Sequence, residues 1–303
     1  MNEKDLSSLK QRAGIVGYGD FGRALGAVIS RTGFPFSAWD EDGIKSLSPS
    51  LLDCVSGADV VFFAVPTNRL REALTSALPF IGTDTVSVMV SKGLDGEGLS
   101  APEIAEYFFT RSKIAFLGGP MTTTDILSGR DFFPVIAGED RARNSVAGFF
   151  PEGKVVITFS EDIKGVAFSG ILKNFYAFLL GYAEGSELSE GNRAGLFVAC
   201  AEELWRAVEF FGGEAETARG AAGLGDLKVS ASLASDNFSD GVRLAKHLPP
   251  VGSESVQSAP AMKLRLAGES SLPLLAIACD IITRSFGASE EIIKIINGDI
   301  NYR

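Results

Sequence analysis

Lys173 is the charged residue whose sequence setting most favours catalysis. It lies in the apolar stretch 165–183 and is the only side chain charged at neutral pH between Lys164 and Glu184. Burial in such a helix disfavours the ammonium form, so the pKa falls and the amine can exchange a proton near neutral pH. The alternative is a lysine whose apolar stem follows the helix and whose ammonium reaches solvent.

Two glycine-containing segments and one possible helix start carry further polar candidates. Asp226 lies in Ala-Ala-Gly-Leu-Gly-Asp-Leu (221–227), where bent backbone predicts an exposed carboxylate at the start of the next helix. There it could also act as an N-cap. Lys92 follows a predicted strand, where a solvated loop lysine is the alternative. Asn192 is typical of an N-cap that could also donate to a ligand.

A glycine-rich turn between a strand and a helix predicts a dinucleotide site. The apolar segment 13–16 runs into Gly17-x-Gly19-x-x-Gly22, and an amphipathic helix follows. Gly17 permits the tight turn, Gly19 lets a pyrophosphate approach the backbone, and Gly22 lets helix and strand pack closely. The helix N-terminus offers free N–H groups and a partial positive charge to the phosphates.

Asp40 ends the second predicted strand, Phe36 to Trp39. A carboxylate at this place can accept hydrogen bonds from a ribose 2′-hydroxyl and repels a 2′-phosphate. No arginine lies within several residues of Asp40 to bind a 2′-phosphate. The sequence therefore predicts NAD rather than NADP, with the alternative that Asp40 is a solvated acid in the turn 40–43.

The composition indicates a globular protein in a reducing compartment. The chain has 303 residues, 46% of them hydrophobic, which suffices for one large or two ordinary domains. Its three cysteines have neither disulfide parity nor metal-ligand spacing, and a single histidine, His247, argues against a histidine-bound metal. We expect no metal. A net charge of −10 argues against a nucleic-acid partner.

The stretch 165–183 is predicted to be a buried helix of a soluble protein. Lys173 and Asn174 at its middle would be penalised in a bilayer. The N-terminus is polar and lacks a signal-peptide core. We therefore expect a cytoplasmic protein without membrane contact.

Alternating strands and helices in the first half predict an α/β fold with a Rossmann-type doubly wound sheet. Further apolar strands are predicted at 60–65, 86–90, 113–117, 135–138 and 155–159. Ligands of such a sheet bind at the carboxyl ends of its strands. After residue 160, periods near 3.6 predominate at 163–182, 192–211 and 272–286. We expect a dinucleotide-binding domain at 1–160 and a mostly α-helical substrate and catalytic domain at 161–303.

Taken in order, these motifs resemble the soluble NAD(P)-dependent glycerol-3-phosphate dehydrogenase family. The resemblance runs from about residue 13 to 297. The segments that carry it are Gly17 to Leu25, Ala64-Val65-Pro66, Ser91-Lys92-Gly93-Leu94, Gly119-Pro120, Leu172-Lys173-Asn174, Asn192-x-x-Gly195-Leu196, Gly223-Leu224-Gly225-Asp226-Leu227 and Glu254-Ser255-Val256. It implies a reversible hydride transfer between NAD(H) and C2 of dihydroxyacetone phosphate or sn-glycerol 3-phosphate, a reaction of glycerophospholipid metabolism.

The resemblance also implies residue roles. Lys173 is similar to the family's proton acceptor, and Lys92 to a lysine near the substrate carbonyl, where positive charge stabilises a developing alkoxide. Asp226 resembles the aspartate that holds the lysine and the substrate hydroxyls, and Glu254 matches a cofactor-side carboxylate. The implied cofactor-binding residues are Gly17, Gly19, Asp20, Phe21, Gly22, Asp40, Pro66, Lys92, Thr123 and Glu254. The implied substrate-binding residues are Lys92, Gly119, Lys173, Asn174, Asp226, Ser235 and Asn237.

One departure from the family pattern concerns the substrate phosphate. The family usually carries Ser-Arg-Asn about ten residues after Asp226, and here Ser235-Asp236-Asn237 stands in that place. A carboxylate repels a phosphate that arginine would bind bidentately. The cations that could substitute are Lys228, Arg243 and Arg193. Met121-Thr122-Thr123 likewise replaces a common Ser-Phe-Ala.

The departure leaves the function open at this point. The implied reaction uses a small phosphorylated substrate. The alternatives are a dehydrogenase of the same superfamily acting on a different hydroxy compound, and a catalytically silent NAD-binding protein. Apolar helices such as 272–286 are compatible with a homodimer formed by the helical domain and equally with a monomer's core.

Overall fold

Two compact units make up the chain in this computed structural model, which describes residues 11–151, 153, 155–284 and 289–297. The first unit comprises the chain up to Ser91 together with Ala101–Ile163. The second comprises Lys92–Ser100 and the chain from Lys164 onward. The short segment Lys92–Ser100 thus belongs to the second unit, although the sheet of the first unit flanks it in sequence.

The first unit contains a seven-stranded sheet with the strand order β2-β1-β3-β4-β5-β6-β7. The strands are β1 (Ala13–Val16), β2 (Phe36–Trp39), β3 (Val60–Phe63), β4 (Val86–Met89), β5 (Ile114–Gly118), β6 (Val135–Gly138) and β7 (Thr158–Ser160). Neighbouring strands are parallel except β5 and β6, which pair antiparallel. The predicted doubly wound sheet is confirmed. The reversed β6 was not predicted, because an apolar run has the same composition in either direction.

The helices of the first unit connect these strands and cover the sheet. They are α1 (Asp20–Thr32), α2 (Leu51–Val55), α3 (Thr67–Ala77), α4 (Ala101–Ala105), α5 (Thr123–Leu127) and α6 (Asp140–Ala147). Helix α4 is short and ends at Ala105. Aromatic and β-branched residues occupy 107–110, and such residues lose side-chain freedom in a helix. A core of buried apolar side chains, including Ile15, Leu25 and Phe62, joins sheet and helices.

The second unit is helical. Its helices are α7 (Ile163–Gly185), α8 (Glu190–Phe210), α9 (Ala215–Arg219), α10 (Asp226–Ser230), α11 (Asp236–Ala245), α12 (Glu254–Arg265), α13 (Pro273–Arg284) and α14 (Ser289–Ile296). Residue 286, at the end of a predicted helix, lies outside the described residues. Asn192 is not an N-cap as predicted, because the side chain of Ser189 caps α8 by accepting from the Asn192 N–H.

Helix α7 is the central element of the second unit. It has the length and apolar composition of a membrane span, but 89% of its most apolar window is buried inside the protein, which confirms the predicted core helix. Helix α11 crosses it with the backbones in contact. A Cβ at Gly181 of α7 would lie 2.0 Å from the carbonyl oxygen of Phe238, and a Cβ at Gly241 of α11 would lie 2.0 Å from that of Phe178. This close crossing brings polar residues of α7 and α11 together.

Candidate active site

Lys173 lies in the middle of α7, in the interior of the second unit, and is only 8% exposed. The Nζ atom donates to Oγ of Ser230 at 2.7 Å and lies 3.3 Å from Oδ1 of Asp226. Burial lowers the pKa of Lys173 below its ordinary value, opposed by the Asp226 carboxylate and reinforced by the charge of Lys92. The lysine is therefore buried and paired with protein groups, and it does not extend along the helix surface.

Asp226 joins the two lysines. It begins α10 as predicted, but the predicted exposed carboxylate is wrong, because Asp226 is only 4% exposed, and Gly225 rather than Asp226 is the N-cap residue. Its Oδ2 lies 2.5 Å from Nζ of Lys92, while Oδ1 faces Lys173. Burial alone would raise the pKa of Asp226, but the ammonium groups of Lys173 and Lys92 outweigh it and hold the pKa below its usual value. Asp226 is thus an anion between two cations.

Lys92 is not a solvated loop lysine. Its side chain is 17% exposed and is held by the carboxylate of Asp226. Ser230, which no sequence argument selected, lies one turn after Asp226 on α10. Because residues four apart share a helix face, Asp226 and Ser230 meet the same lysine, and that spacing was the signal that could have indicated Ser230.

An amide network connects this cluster to α11 and α12. Asn174 donates from Nδ2 to the carbonyl oxygen of Lys92 at 3.0 Å and to Oε2 of Glu254 at 3.3 Å. Asn237 donates from Nδ2 to Oδ1 of Asn174 at 3.1 Å and accepts from the Ser255 N–H at 2.9 Å. Both polar atoms of the Asn237 side chain thus have protein partners. A substrate contact from Asn237 would use the second N–H of Nδ2 or the second lone pair of Oδ1.

Asp240, a second residue that the sequence did not indicate, fixes the loop that leads into Glu254. Its fully buried carboxylate accepts the N–H groups of Val251, Gly252 and Ser253, at 2.5, 3.2 and 2.9 Å. Burial raises the pKa of Glu254, and the charge of Lys173 opposes this shift. The predicted site residues Lys92, Lys173, Asn174, Asp226, Asn237 and Glu254 therefore form one connected polar cluster within the second unit.

Asp236 and the three cations that could bind a substrate phosphate in its place lie as follows. Asp236 is exposed at the first position of α11, and Ser235 is its N-cap residue without a side-chain cap bond. Arg193 pairs with Glu184 and Glu190, and Arg243 donates from Nε to the carbonyl oxygen of Pro249 at 2.6 Å. Lys228 is exposed, on the side of α10 away from Asp226 and Ser230.

In the first unit, the glycine-rich turn follows β1 and leads into α1. Gly17 has φ +91°, and a Cβ at Gly22 would lie 2.1 Å from the carbonyl oxygen of Gly17, so both positions require glycine. A Cβ at Gly19 would meet no atom within 4 Å, and no side chain caps α1 there. The open space over Gly19 and the uncapped N–H groups fit a diphosphate.

Asp40 supports this turn directly. Its Oδ2 accepts the N–H of Tyr18 at 2.7 Å and its Oδ1 accepts that of Asp42 at 3.0 Å. An arginine contacts Glu41, the residue after Asp40, which residue spacing could not show. Arg69 of α3 contacts Glu41 at 2.8 Å and Glu72 at 3.1 Å.

The remaining predicted residues of the first unit lie near the carboxyl ends of strands. Asp20 and Phe21 begin α1, Pro66 precedes α3 after β3, and Gly119 and Thr123 follow β5. Within the described residues, Oγ1 of Thr67, the first residue of α3, and Oγ of Ser91, just after β4, are buried without a hydrogen-bond partner. Orphaned hydroxyls at this edge fit a ligand with polar groups. In the part of the chain that the structure describes, no group of three or more His, Cys, Asp or Glu residues could hold a metal ion.

Comparison with known proteins identifies relatives along most of the chain. Residues 44–143 match the N-terminal family model of NAD-dependent glycerol-3-phosphate dehydrogenase, and residues 162–302 match the C-terminal one. The glycerol-3-phosphate dehydrogenase [NAD(P)+] of Sinorhizobium fredii is 33% identical over 259 residues, covering 82% of this chain and 73% of the relative. That of Rhizobium johnstonii is 29% identical over 324 residues, covering 96% and 99%.

A solved structure shares the fold. Glycerol-3-phosphate dehydrogenase from Coxiella burnetii superimposes with a TM-score of 0.83 at 21% identity, covering 95% of this chain and 99% of that chain. The likeness confirms the architecture of a Rossmann-like first part followed by a helical second part.

Proposed function

Because this chain belongs to the NAD-dependent glycerol-3-phosphate dehydrogenase family, we propose that it interconverts dihydroxyacetone phosphate and sn-glycerol 3-phosphate with a nicotinamide cofactor. The observation that carries the proposal is the buried cluster in which Asp226 lies between Lys92 and Lys173. A lysine that is buried and paired with a carboxylate is suited to acid–base catalysis, unlike a lysine exposed to solvent. When bound, the cofactor supplies or accepts the hydride.

Lys173 accepts and donates the proton in this mechanism. In the oxidation of sn-glycerol 3-phosphate, its neutral amine accepts the proton of the C2 hydroxyl, and in the reduction its ammonium returns that proton to the C2 oxygen. Burial, which lowers the pKa of Lys173, favours the neutral amine that the oxidation requires. Ser230 and Asp226 hold the amine in place through Nζ.

Lys92 and Asp226 stabilise charge and orient groups. The ammonium of Lys92 stabilises negative charge that develops on the substrate oxygen during reduction. Asp226 keeps both lysines within reach of the same substrate atom, because each of its oxygens faces one of them. In this proposal Asn174, Asn237, Ser235 and Gly119 line the substrate.

The dinucleotide would be held by the first unit. Gly17, Gly19 and Gly22 form the diphosphate turn, with Asp20 and Phe21 beginning the helix behind it. Pro66, Thr123, Lys92 and Glu254 complete the proposed cofactor contacts. Residues 1–160, apart from Lys92–Ser100, which belongs to the second unit, act as the dinucleotide-binding domain, and residues 161–303 act as the substrate and catalytic domain.

We favour NAD over NADP. The Asp40 carboxylate supports the glycine turn and would repel a 2′-phosphate. The nearby guanidinium of Arg69 is already paired with Glu41 and Glu72. The three free, buried cysteines agree with a cytoplasmic enzyme. A homodimer built on the helical domain is the oligomer that the family resemblance implies.

One assay tests the proposal. The purified chain is mixed with NADH and dihydroxyacetone phosphate, and absorbance of the reduced nicotinamide is followed. Oxidation of NADH with formation of sn-glycerol 3-phosphate supports the proposal. Turnover only with unphosphorylated or differently charged ketones, or tight NADH binding without turnover on any ketone, would refute it.

A further inference from the structure

We propose that Gly170 and Ser258 are positioning residues that hold Lys92 against Asp226, an inference that rests on the role of Lys92 in the proposed function. Lys92 begins the short segment Lys92–Ser100, which belongs to the helical unit although the sheet of the other unit flanks it in sequence. A lysine side chain is long and flexible. Its ammonium therefore stays in one place only if the methylene chain and the neighbouring backbone are held by contacts.

Gly170 supports the stem. A Cβ at Gly170 would lie 3.1, 3.2 and 3.6 Å from Cδ, Cγ and Cε of Lys92, and these are its three nearest neighbours. The methylene chain of Lys92 therefore crosses α7 where α7 has no side chain. Because Gly170 lies one helical turn before Lys173, the stem of one lysine passes beside the base of the other.

The other glycines of α7 are explained by contacts of a different kind. A Cβ at Gly181 or Gly185 would lie nearest to a carbonyl oxygen of α11, and Gly165 packs against Gly213, where a Cβ would lie 2.4 Å from Cα of Gly165. Those positions permit contact between backbones. Gly170 instead makes room for a single side chain, that of Lys92. Since glycine is less favourable than alanine inside a helix, its presence at 170 is best explained by this contact.

Ser258 supports the backbone. Its Oγ accepts the N–H of Leu94 at 3.0 Å in a buried environment. Asn174 donates to the carbonyl oxygen of Lys92 at 3.0 Å, and Arg265 donates to that of Gly98 at 2.7 Å. The backbone that follows the Lys92 side chain is thus fixed to α7 and α12. The ammonium then has a defined reach, which ends 2.5 Å from Oδ2 of Asp226.

The first test is Gly170→Ala, compared with Gly191→Ala as the matched control. Gly191 is also helical, but a Cβ there would meet only Oγ of Ser189, at 4.0 Å. We expect Gly170→Ala to lower kcat/KM for dihydroxyacetone phosphate by about tenfold, because small displacements of a catalytic group cost that much or more. The melting temperature should not fall. The control should keep wild-type kinetics.

A double-mutant cycle separates positioning from general damage. If Gly170 acts through Lys92, Gly170→Ala should change kcat/KM less than twofold in a Lys92→Ala background. A crystal structure of Gly170→Ala should show Nζ of Lys92 displaced from Oδ2 of Asp226. Wild-type kinetics for Gly170→Ala, or an equal loss with and without Lys92, would overturn the proposal. Wild-type activity of Lys92→Ala alone would instead refute the role of Lys92 in the proposed function.

A second pair of variants keeps the test valid if Gly170→Ala fails to fold. Ser258→Ala should lower kcat/KM several-fold because the Leu94 N–H loses its acceptor, and Ser258→Thr should restore activity because it keeps the hydroxyl. Equal activity of the Ala and Thr variants would overturn the role of Ser258.

Discussion

Lys173 and Asp226 form a buried ion pair, with 3.3 Å between Nζ and Oδ1. A single ammonium inside an apolar helix would be costly, and the carboxylate offsets that cost. Because Lys92 binds the other oxygen, Asp226 is shared, and the proton affinity of Lys173 depends on both neighbours. The pair therefore links the structure of α7 to the proposed proton transfer.

Lys173→Met should remove turnover while leaving the cofactor site intact. Methionine keeps the stem and cannot exchange a proton, so we expect kcat to fall by roughly 10²–10⁴-fold, the usual contribution of a general base. The Kd for NADH, measured by fluorescence titration, should change little. Lys164→Met at the start of the same helix is the control. A weakening of NADH binding that matches the loss of turnover would assign Lys173 to the cofactor instead.

The two directions of the reaction should have opposite pH dependences. Oxidation needs the neutral amine of Lys173, so kcat/KM should rise as pH increases through a pKa that burial lowers below its ordinary value. Reduction needs the ammonium and should fall over the same range. In Lys92→Ala the neighbouring positive charge is lost, so the pKa of Lys173 and both inflections should move to higher pH. Unmoved inflections would exclude electrostatic coupling between the two lysines.

Glu41→Gln should relax the preference for NAD. Removing this carboxylate frees one partner of Arg69, whose guanidinium could then bind a 2′-phosphate. We expect the KM for NADPH to fall several-fold and that for NADH to stay within about twofold. Glu72→Gln, which removes the other partner of Arg69, is the comparison variant. An unchanged ratio of NADH to NADPH efficiency in both variants would show that Arg69 does not reach the cofactor.

Asp236→Arg should improve recognition of the substrate phosphate. The substitution replaces an exposed carboxylate by a group that binds phosphate bidentately. We expect the KM for dihydroxyacetone phosphate to fall about tenfold and the KM for unphosphorylated dihydroxyacetone to stay unchanged. Asp236→Asn, which removes the charge alone, should have a smaller effect. A KM for the phosphorylated substrate that does not fall would place the phosphate elsewhere.

Glu203→Gln should change how stability depends on pH. Glu203 is fully buried and accepts the N–H groups of Leu274 and Leu275 at the start of α13, and burial raises its pKa to about 7. With an unfolded value of 4.5, the native state retains a proton that the unfolded chain releases, so stability falls as pH rises from 4.5 to about 7. This loss is about 3 kcal/mol.

Urea unfolding of the protein without cofactor, at pH 5 and pH 8, measures the effect. The Glu203→Gln variant should gain free energy of unfolding relative to wild type as pH rises. Glu202→Gln, at the exposed neighbouring position, should follow the wild-type dependence. Parallel curves for Glu203→Gln and wild type would contradict the shifted titration of Glu203.

The sequence by itself determined most of the helices and strands and the glycine-rich turn that follows β1. Gly17, Gly19 and Gly22 predicted the turn after β1, and the apolar setting of Lys173 predicted its burial. These inferences succeed because turn chemistry and hydrophobic periodicity are local properties of the chain. Helix α12 escaped prediction, since Pro260 and several polar residues obscure its period.

Only the tertiary structure decided which polar groups meet. It placed Ser230 on Lys173, Asp240 under the loop before Glu254, and Arg69 beside Glu41. Each of these pairings depends on how separate helices, strands and loops pack, and that packing is set by apolar contacts throughout each unit. The sequence shows which polar residues are present but not which of them meet. Their distances depend on how elements far apart along the chain pack together.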